Sequence, residues 1–120
     1  MRFGNFKVLT FDVVGTLIDF ETGLLESIRR IAGNAAAGYS DDEIFEVYKR
    51  GRDIHSGRSS EAMADVYLHV AGELKLPATR EAADAFQLDV LRWPAFADSV
   101  EALKRLRRHF RLVAMTNADR

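Results

Sequence analysis

The feature that most constrains this chain is a continuous apolar run close to its N-terminus. Lys7-Val8-Leu9-Thr10-Phe11-Asp12-Val13-Val14 shows no alternation of polar and apolar residues, and it stops at Gly15-Thr16. An unbroken run of this length predicts a strand covered on both faces, the kind that parallel sheets use. A second run, Arg111-Leu112-Val113-Ala114-Met115, stops at Thr116-Asn117. Two such strands joined through helices define an α/β class with a parallel sheet.

The stretch between the runs reads as almost wholly helical. Leu24, Leu25, Ile28 and Ile31 keep a helical period that halts near Gly33-Asn34. Ser40-Asp41-Asp42-Glu43 has the form of a capping box ahead of Ile44, Phe45, Val47 and Tyr48. Met63, Val66, Tyr67, Val70 and Leu74 mark a third helix, stopped before Pro77. Thr79 caps a fourth that carries Ala83, Phe86 and Val90 and ends before Pro94. Asp98-Ser99-Val100-Glu101 resembles another capping box, opening a helix over residues 98–109 with Val100, Leu103, Leu106 and Phe110 on one face. The polar stretch Gly51-Arg52-Asp53-Ile54-His55-Ser56-Gly57-Arg58-Ser59 reads as a flexible segment. One helix is enough to return the chain to the sheet, so the four preceding ones form a separate helical insertion. The expected division is a core of residues 1–17 and 97–120 and an insert of residues 18–96.

Composition narrows the function classes. Hydrophobic residues make up 48% of the 120, which supplies a core and argues against disorder. Seventeen basic residues against eighteen acidic ones argue against a nucleic-acid binder, which needs clustered positive charge. With no cysteine there are no disulfides, thiolate metal sites or cysteine nucleophile. Val8 to Val14 is too short, and holds an Asp, for a signal peptide or membrane span. The composition therefore points to a soluble, cytoplasmic protein with no membrane partner.

In an open α/β sheet the chemistry sits beyond the carboxyl ends of the strands. Asp12 lies at that end of the first strand and Thr116-Asn117 at that end of the second. Gly15 permits a tight turn, and Thr16, four residues after Asp12, can hydrogen-bond its carboxylate. An isolated Asp at a strand end would most simply satisfy backbone donors. Its pairing with Gly-Thr and with a second strand ending in Thr-Asn favours a site instead. His55, His69 and His109 lie at no metal-ligand spacing and read as structural or surface groups, and Tyr39, Tyr48, Tyr67 and Trp93 read as packing residues.

These residues carry a resemblance. Phe11-Asp12-Val13-Val14-Gly15-Thr16-Leu17 resembles motif I of the haloacid dehalogenase (HAD) superfamily, D-x-x-G-T after a hydrophobic strand. Val113-Ala114-Met115-Thr116-Asn117 resembles its motif II, and the Asn is frequent in the dehalogenase-like branch. The intervening helices, and the exit segment Trp93-Pro94-Ala95-Phe96-Ala97-Asp98, are similar to the four-helix cap inserted after motif I in that branch. The resemblance implies a Rossmann-like core, partial in this chain, with an inserted helical cap.

It also implies a mechanism. Asp12 would be the nucleophile, attacking the halogen-bearing carbon of a small 2-haloacid and forming an aspartyl ester that water hydrolyses. Thr16 would orient Asp12, Val14 would line the substrate site, and Thr116 and Asn117 would hold the substrate carboxylate or developing oxyanion. An Arg on an early cap helix would face the halide or carboxylate. Arg50 and Arg52 lie in the matching region, Tyr48-Lys49-Arg50-Gly51-Arg52, and the sequence does not separate them; basic residues at a helix C-terminus also commonly form a solvated end.

Two departures from the family pattern bear on this. The superfamily's phosphatases carry a second Asp two residues after the first, where this chain has Val14. That Asp protonates a departing alcohol oxygen, which valine cannot do and a halide does not need. The expected reaction is thus dehalogenation without a cofactor or metal, on a small anionic substrate. The alternatives are a Mg2+-dependent phosphatase or phosphonate hydrolase, with the ion on Asp12 and the Val14 carbonyl, and a non-catalytic binding module. A homodimer is one assembly compatible with the resemblance. The second departure is that the motif III Lys and motif IV acids have no counterpart in residues 1–120, so the expectation is that the chain is a fragment or a truncated product.

Overall fold

The computed structural model describes residues 3–57 and 60–116. Strand β1 (Val8–Phe11) pairs in parallel with β2 (Arg111–Ala114), Val8 opposite Arg111 and Phe11 opposite Ala114. Arg111 N–H donates to the Lys7 carbonyl and Met115 N–H to the Phe11 carbonyl, each at 2.8 Å, so the ladder runs one residue past each strand. Helices α1 (Phe20–Ala32), α2 (Asp41–Ile54), α3 (Glu61–Leu74) and α4 (Arg80–Asp89) come between the strands, and α5 (Ser99–Arg107) leads into β2. The α/β class, the parallel pairing and the helical insertion expected from the sequence are all present. The chain divides into two compact units, residues 3–20 with 94–116, and Glu21–Trp93.

In the helical unit, local signals and packing agree. Ser40 Oγ accepts the Glu43 N–H at 3.1 Å while Glu43 Oε2 accepts the Ser40 N–H at 2.7 Å, so the capping box that opens α2 is complete. Thr79 Oγ1 accepts the Ala82 N–H at 3.1 Å and opens α4. Gly33 ends α1 with φ +58°, a left-handed conformation that glycine adopts without penalty. Lys75 closes α3 in the same region, at φ 55°, without that freedom.

The apolar stripes meet in one core. Leu24, Ile28, Ile44, Val66, Tyr67, Val70 and Phe86 are fully buried, each worth about 1.5–3 kcal/mol for the larger aliphatic and aromatic side chains. The Tyr67 and Phe86 rings lie 5.6 Å apart, and Trp93 meets Phe86 edge-on at 6.3 Å. Tyr67 donates its hydroxyl to the Pro77 carbonyl at 2.8 Å, and Tyr39 to that of Leu74 at 2.9 Å, so neither ring leaves its polar end unpaired. Gly23 is required by contact, because a Cβ there would stand 2.5 Å from the Trp93 ring.

Two local expectations are corrected. The first part of the stretch from Gly51 is helical and not a flexible segment, since α2 continues through Ile54; His55 to Gly57 follow outside any helix or strand. Gly51 is buried where α2 crosses α3, and a Cβ on it would meet His69 at 3.0 Å, so the glycine serves close helix approach. Arg58 and Ser59 of that stretch lie outside the described residues. Asp98 does not cap α5: its backbone is already helical (φ −92°, ψ −8°), whereas a side-chain cap needs an extended N-cap residue.

The cover over β1 within the described residues is partial. Its residues alternate between exposed and half-buried, and Val8 is 47% exposed. Among the described residues of this unit only Ser99 is buried. The strands are flanked by α5, nine residues long, whose apolar stripe is itself half-covered: Val100 and Leu106 are exposed. Burial on both faces needs a layer on each side, and within the described residues α5 supplies cover on one side at most.

Candidate active site

The site begins where β1 ends. Asp12 follows Phe11 directly and is exposed. The next residues wind into a turn whose centre is the Val13 carbonyl, which accepts the N–H groups of Thr16 (3.2 Å), Leu17 (2.8 Å) and Ile18 (3.1 Å). Gly15 has φ +88°, where an L side chain is strained, and its N–H donates to the Ile18 carbonyl at 2.9 Å. This winding brings Thr16 back over the strand end. Thr16 Oγ1 donates to Asp12 Oδ2 at 3.1 Å, the pairing that the four-residue spacing predicts. One carboxylate oxygen is thereby held and the other lone pairs stay accessible.

The turn is anchored on its far side. Leu17, Ile18 and Asp19 run antiparallel to Pro94, Ala95 and Phe96: the Asp19 N–H donates to the Pro94 carbonyl at 2.8 Å and the Phe96 N–H to the Leu17 carbonyl at 2.9 Å. Val14 is 45% exposed, so its side chain is available to line a site rather than lost in a core. Thr116 lies two residues after β2 and is exposed. The parallel register carries both strands toward the same end, which puts Asp12 and Thr116 at one edge of the sheet. Asn117 lies outside the described residues.

The two cap arginines belong to the helical unit and differ in their partners. Arg50 donates to Glu73 Oε2 at 2.7 Å, bridging α2 and α3. The hydrogen bond from Arg50 holds the Glu73 carboxyl below its ordinary range, the small burial penalty opposing it and the charges of Arg50 and His69 adding to it. Arg52 donates instead to the carbonyls of His55 (3.0 Å) and Gly57 (3.3 Å), closing the C-terminal end of α2. Arg50 is thus paired with a carboxylate, and Arg52 with two carbonyl oxygens among the described residues. Arg50 also lines a cleft of about 400 Å³ together with Tyr39, Asp42, Glu43, Glu46, Val47 and Leu74. Three acids on its wall make this cleft a poor host for an anion.

A divalent cation at the strand ends would draw on the Asp12 carboxylate and the Val14 carbonyl. Among the described residues no group of three or more His, Cys, Asp or Glu comes together to hold a metal ion. No described helix is long and apolar enough to cross a membrane.

Sequence reasoning passed over one residue of this region, Ser99. It is buried, and its Oγ donates to the Leu17 carbonyl at 2.8 Å. A small polar residue at the first position of a helix was the available signal.

This geometry can be set beside known proteins. A family model described as a haloacid dehalogenase-like hydrolase matches residues 6–120. A crystal structure of a dehalogenase superposes with a TM-score of 0.70 at 13% identity, over 95% of this chain and 52% of its own. The L-2-haloacid dehalogenase from Xanthobacter autotrophicus gives 0.69 at 18% identity, over 95% and 47%. The 2-haloacid dehalogenase from Pseudomonas syringae pv. Tomato DC3000 gives 0.50 at 20% identity, over 96% and 56%. The chain spans about half the length of these structures, and at such identities the likeness is one of fold. No curated protein matches the sequence. The D-x-x-G-T turn at the end of β1, the helical insertion behind it and a family match over residues 6–120 together establish that the chain belongs to the haloacid dehalogenase-like hydrolases.

Proposed function

We propose that this hydrolase removes halide from a small 2-haloacid with Asp12 as the nucleophile. A carboxylate oxygen of Asp12 attacks the carbon bearing the halogen, the carbon–halogen bond breaks, and halide leaves with the electron pair. The product is an ester between Asp12 and the substrate. Water then adds at the Asp12 carbonyl carbon, the 2-hydroxyacid leaves, one water proton passes to its oxygen and the other to solvent, and the Asp12 carboxylate returns. Thr16 orients the carboxylate through the hydrogen bond it donates, and in this reading the substrate carboxylate, or the oxyanion formed in the second step, is bound by Thr116 and Asn117, the latter outside the described residues. Val14 supplies an apolar wall beside the reacting carbon. The two candidate arginines differ within their own unit: Arg50 is held by the Glu73 carboxylate, and Arg52 donates to the carbonyls of His55 and Gly57.

The observation that carries this reading is the Thr16–Asp12 pair at the carboxyl end of β1, with Val14 in place of a proton donor two residues on. Halide is a stable anion and leaves unprotonated, whereas a phosphate ester leaves as an alkoxide unless an acid is present. The test is turnover by the full-length protein of a 2-haloacid and of an alkyl phosphate such as glycerol phosphate, whose alkoxide leaving group needs a proton, each with and without EDTA. Halide release that is insensitive to EDTA, with much weaker phosphatase activity, is expected. A strict need for Mg2+ with preference for the phosphate ester would replace this reading by a phosphatase, and no turnover of either class would favour a binding module.

A further inference from the structure

The turn that holds Asp12 and Thr16 is exposed and short, and most of its hydrogen bonds are internal: three N–H groups on the Val13 carbonyl and one on that of Ile18. Internal bonds give such a turn its shape but do not fix where it stands. Its external hold comes from the segment of residues 94–99 that leads into α5, where the Pro94 carbonyl accepts the Asp19 N–H at 2.8 Å. Two donors from that segment converge on a single acceptor, the Leu17 carbonyl: the Phe96 N–H at 2.9 Å and the Ser99 hydroxyl at 2.8 Å. Ser99 is 5% exposed and is the only buried residue among the described residues of its unit. A hydroxyl in such a place costs free energy unless it is paired, and its partner here is the carbonyl one residue after Thr16. Its own N–H is used separately, on the Phe96 carbonyl at 3.0 Å, so the backbone of residue 99 is set by the helix start and its side chain is left for the turn.

We propose that Ser99 is a positioning residue for the nucleophile: by holding the Leu17 carbonyl it fixes the turn that presents Thr16 to Asp12. The proposal rests on the reading of Asp12 as nucleophile for its consequence in catalysis, but the hold on the turn is testable without any substrate. The Phe96 N–H shares the same acceptor, so losing Ser99 loosens the turn rather than releasing it. Thr keeps the hydroxyl at the same atom and is the conservative variant; Ala removes it.

The first measurement is amide hydrogen exchange in the full-length protein, wild type, Ser99→Ala and Ser99→Thr. The Leu17 and Ile18 amides are expected to exchange about five- to tenfold faster in Ser99→Ala, the scale of one net hydrogen bond, and to recover in Ser99→Thr. Amides of Ile28 and Val66, in the helical core, are expected to hold their rates and report that the variant is folded. Ser27→Ala, which removes an equally buried hydroxyl from the helical unit, is the matched control and is expected to leave the turn unchanged. Unchanged Leu17 and Ile18 exchange in folded Ser99→Ala would overturn the proposal. The second measurement is kinetic: on the substrate the enzyme turns over, kcat is expected to fall about five- to tenfold with KM nearly constant, and Thr to restore it. A fall in stability with kcat of the folded enzyme unchanged would reduce Ser99 to a packing role. Wild-type protein that turns over no 2-haloacid would overturn the proposed function and leave the exchange result to decide the hold on the turn.

Discussion

At the scale of single residues, Asp12 and Gly15 make opposite demands. Asp12 is exposed and accepts a hydrogen bond from Thr16, which Asn accepts equally well through its side-chain oxygen. Asp12→Asn is therefore expected to abolish turnover in the full-length protein while changing stability by no more than about 0.5 kcal/mol, measured by halide release and by denaturant unfolding. Gly15 contributes no chemistry and is constrained by its backbone. A Cβ there would sit 3.6 Å from the Phe20 ring, an ordinary contact, so the cost of Gly15→Ala is conformational and not steric. At φ +88° that cost is about 1–2 kcal/mol, and the same unfolding measurement checks it. Both roles are legible in D-x-x-G-T itself, because each depends on contacts within five residues of chain.

At the scale of elements, the helices carry both legible and hidden constraints. Lys75 closes α3 in a left-handed conformation, where a side chain is strained. Lys75→Gly is expected to stabilise the helical unit by about 0.5–1 kcal/mol, less than the strain itself because glycine also raises the entropy of the unfolded chain. Gly23, in contrast, looks from the sequence like a weak point in α1. Gly23→Ala should improve helix propensity, yet its Cβ would stand 2.5 Å from the Trp93 ring. A net loss of about 1–3 kcal/mol is expected by thermal unfolding, because overpacking against a ring outweighs propensity. Burial sets the pH response of α2 and α3. It pushes the Tyr67 hydroxyl above its ordinary value of 10.0, and that of Tyr48 likewise, with the nearby Arg52 opposing the second shift. A group whose folded value is raised stabilises the fold fully below its unfolded value and loses that contribution as pH rises through the folded one. Stability of the helical unit is thus expected to hold up to about pH 10 and then fall, with Tyr67→Phe showing a shallower alkaline limb in denaturation series from about pH 8 to 11.

At the scale of the whole molecule, burial is unevenly shared. Among the described residues, all the buried hydrophobic side chains lie between Leu24 and Phe86, in the helical unit, while the unit with β1 and β2 leaves Phe6, Val8, Val113 and Met115 exposed. In residues 1–120 expressed alone, amide exchange is therefore expected to be slowest in α3 and fastest in the two strands. Comparable protection in β1 and α3 of that piece would mean that the strands are covered by association between copies.

What the sequence determined by itself was whatever depends on short-range chemistry. The capping box at Ser40, the Thr79 cap, the stop at Gly33, the apolar stripes of α1 to α4, the two strand runs and the Asp12–Thr16 pair all follow from residues a few positions apart. Tertiary structure decided what those elements meet. It kept α2 helical through Gly51 by packing that glycine on α3, paired Arg50 with Glu73, withheld the cap from Asp98, and set Ser99 on the Leu17 carbonyl across a sequence separation of 82. The division has a physical origin. Turns and caps are closed by bonds within one or two turns of chain, so a local sequence specifies them. Burial and long-range pairing depend on which surfaces reach a segment, and no segment encodes the others' positions in its own residues.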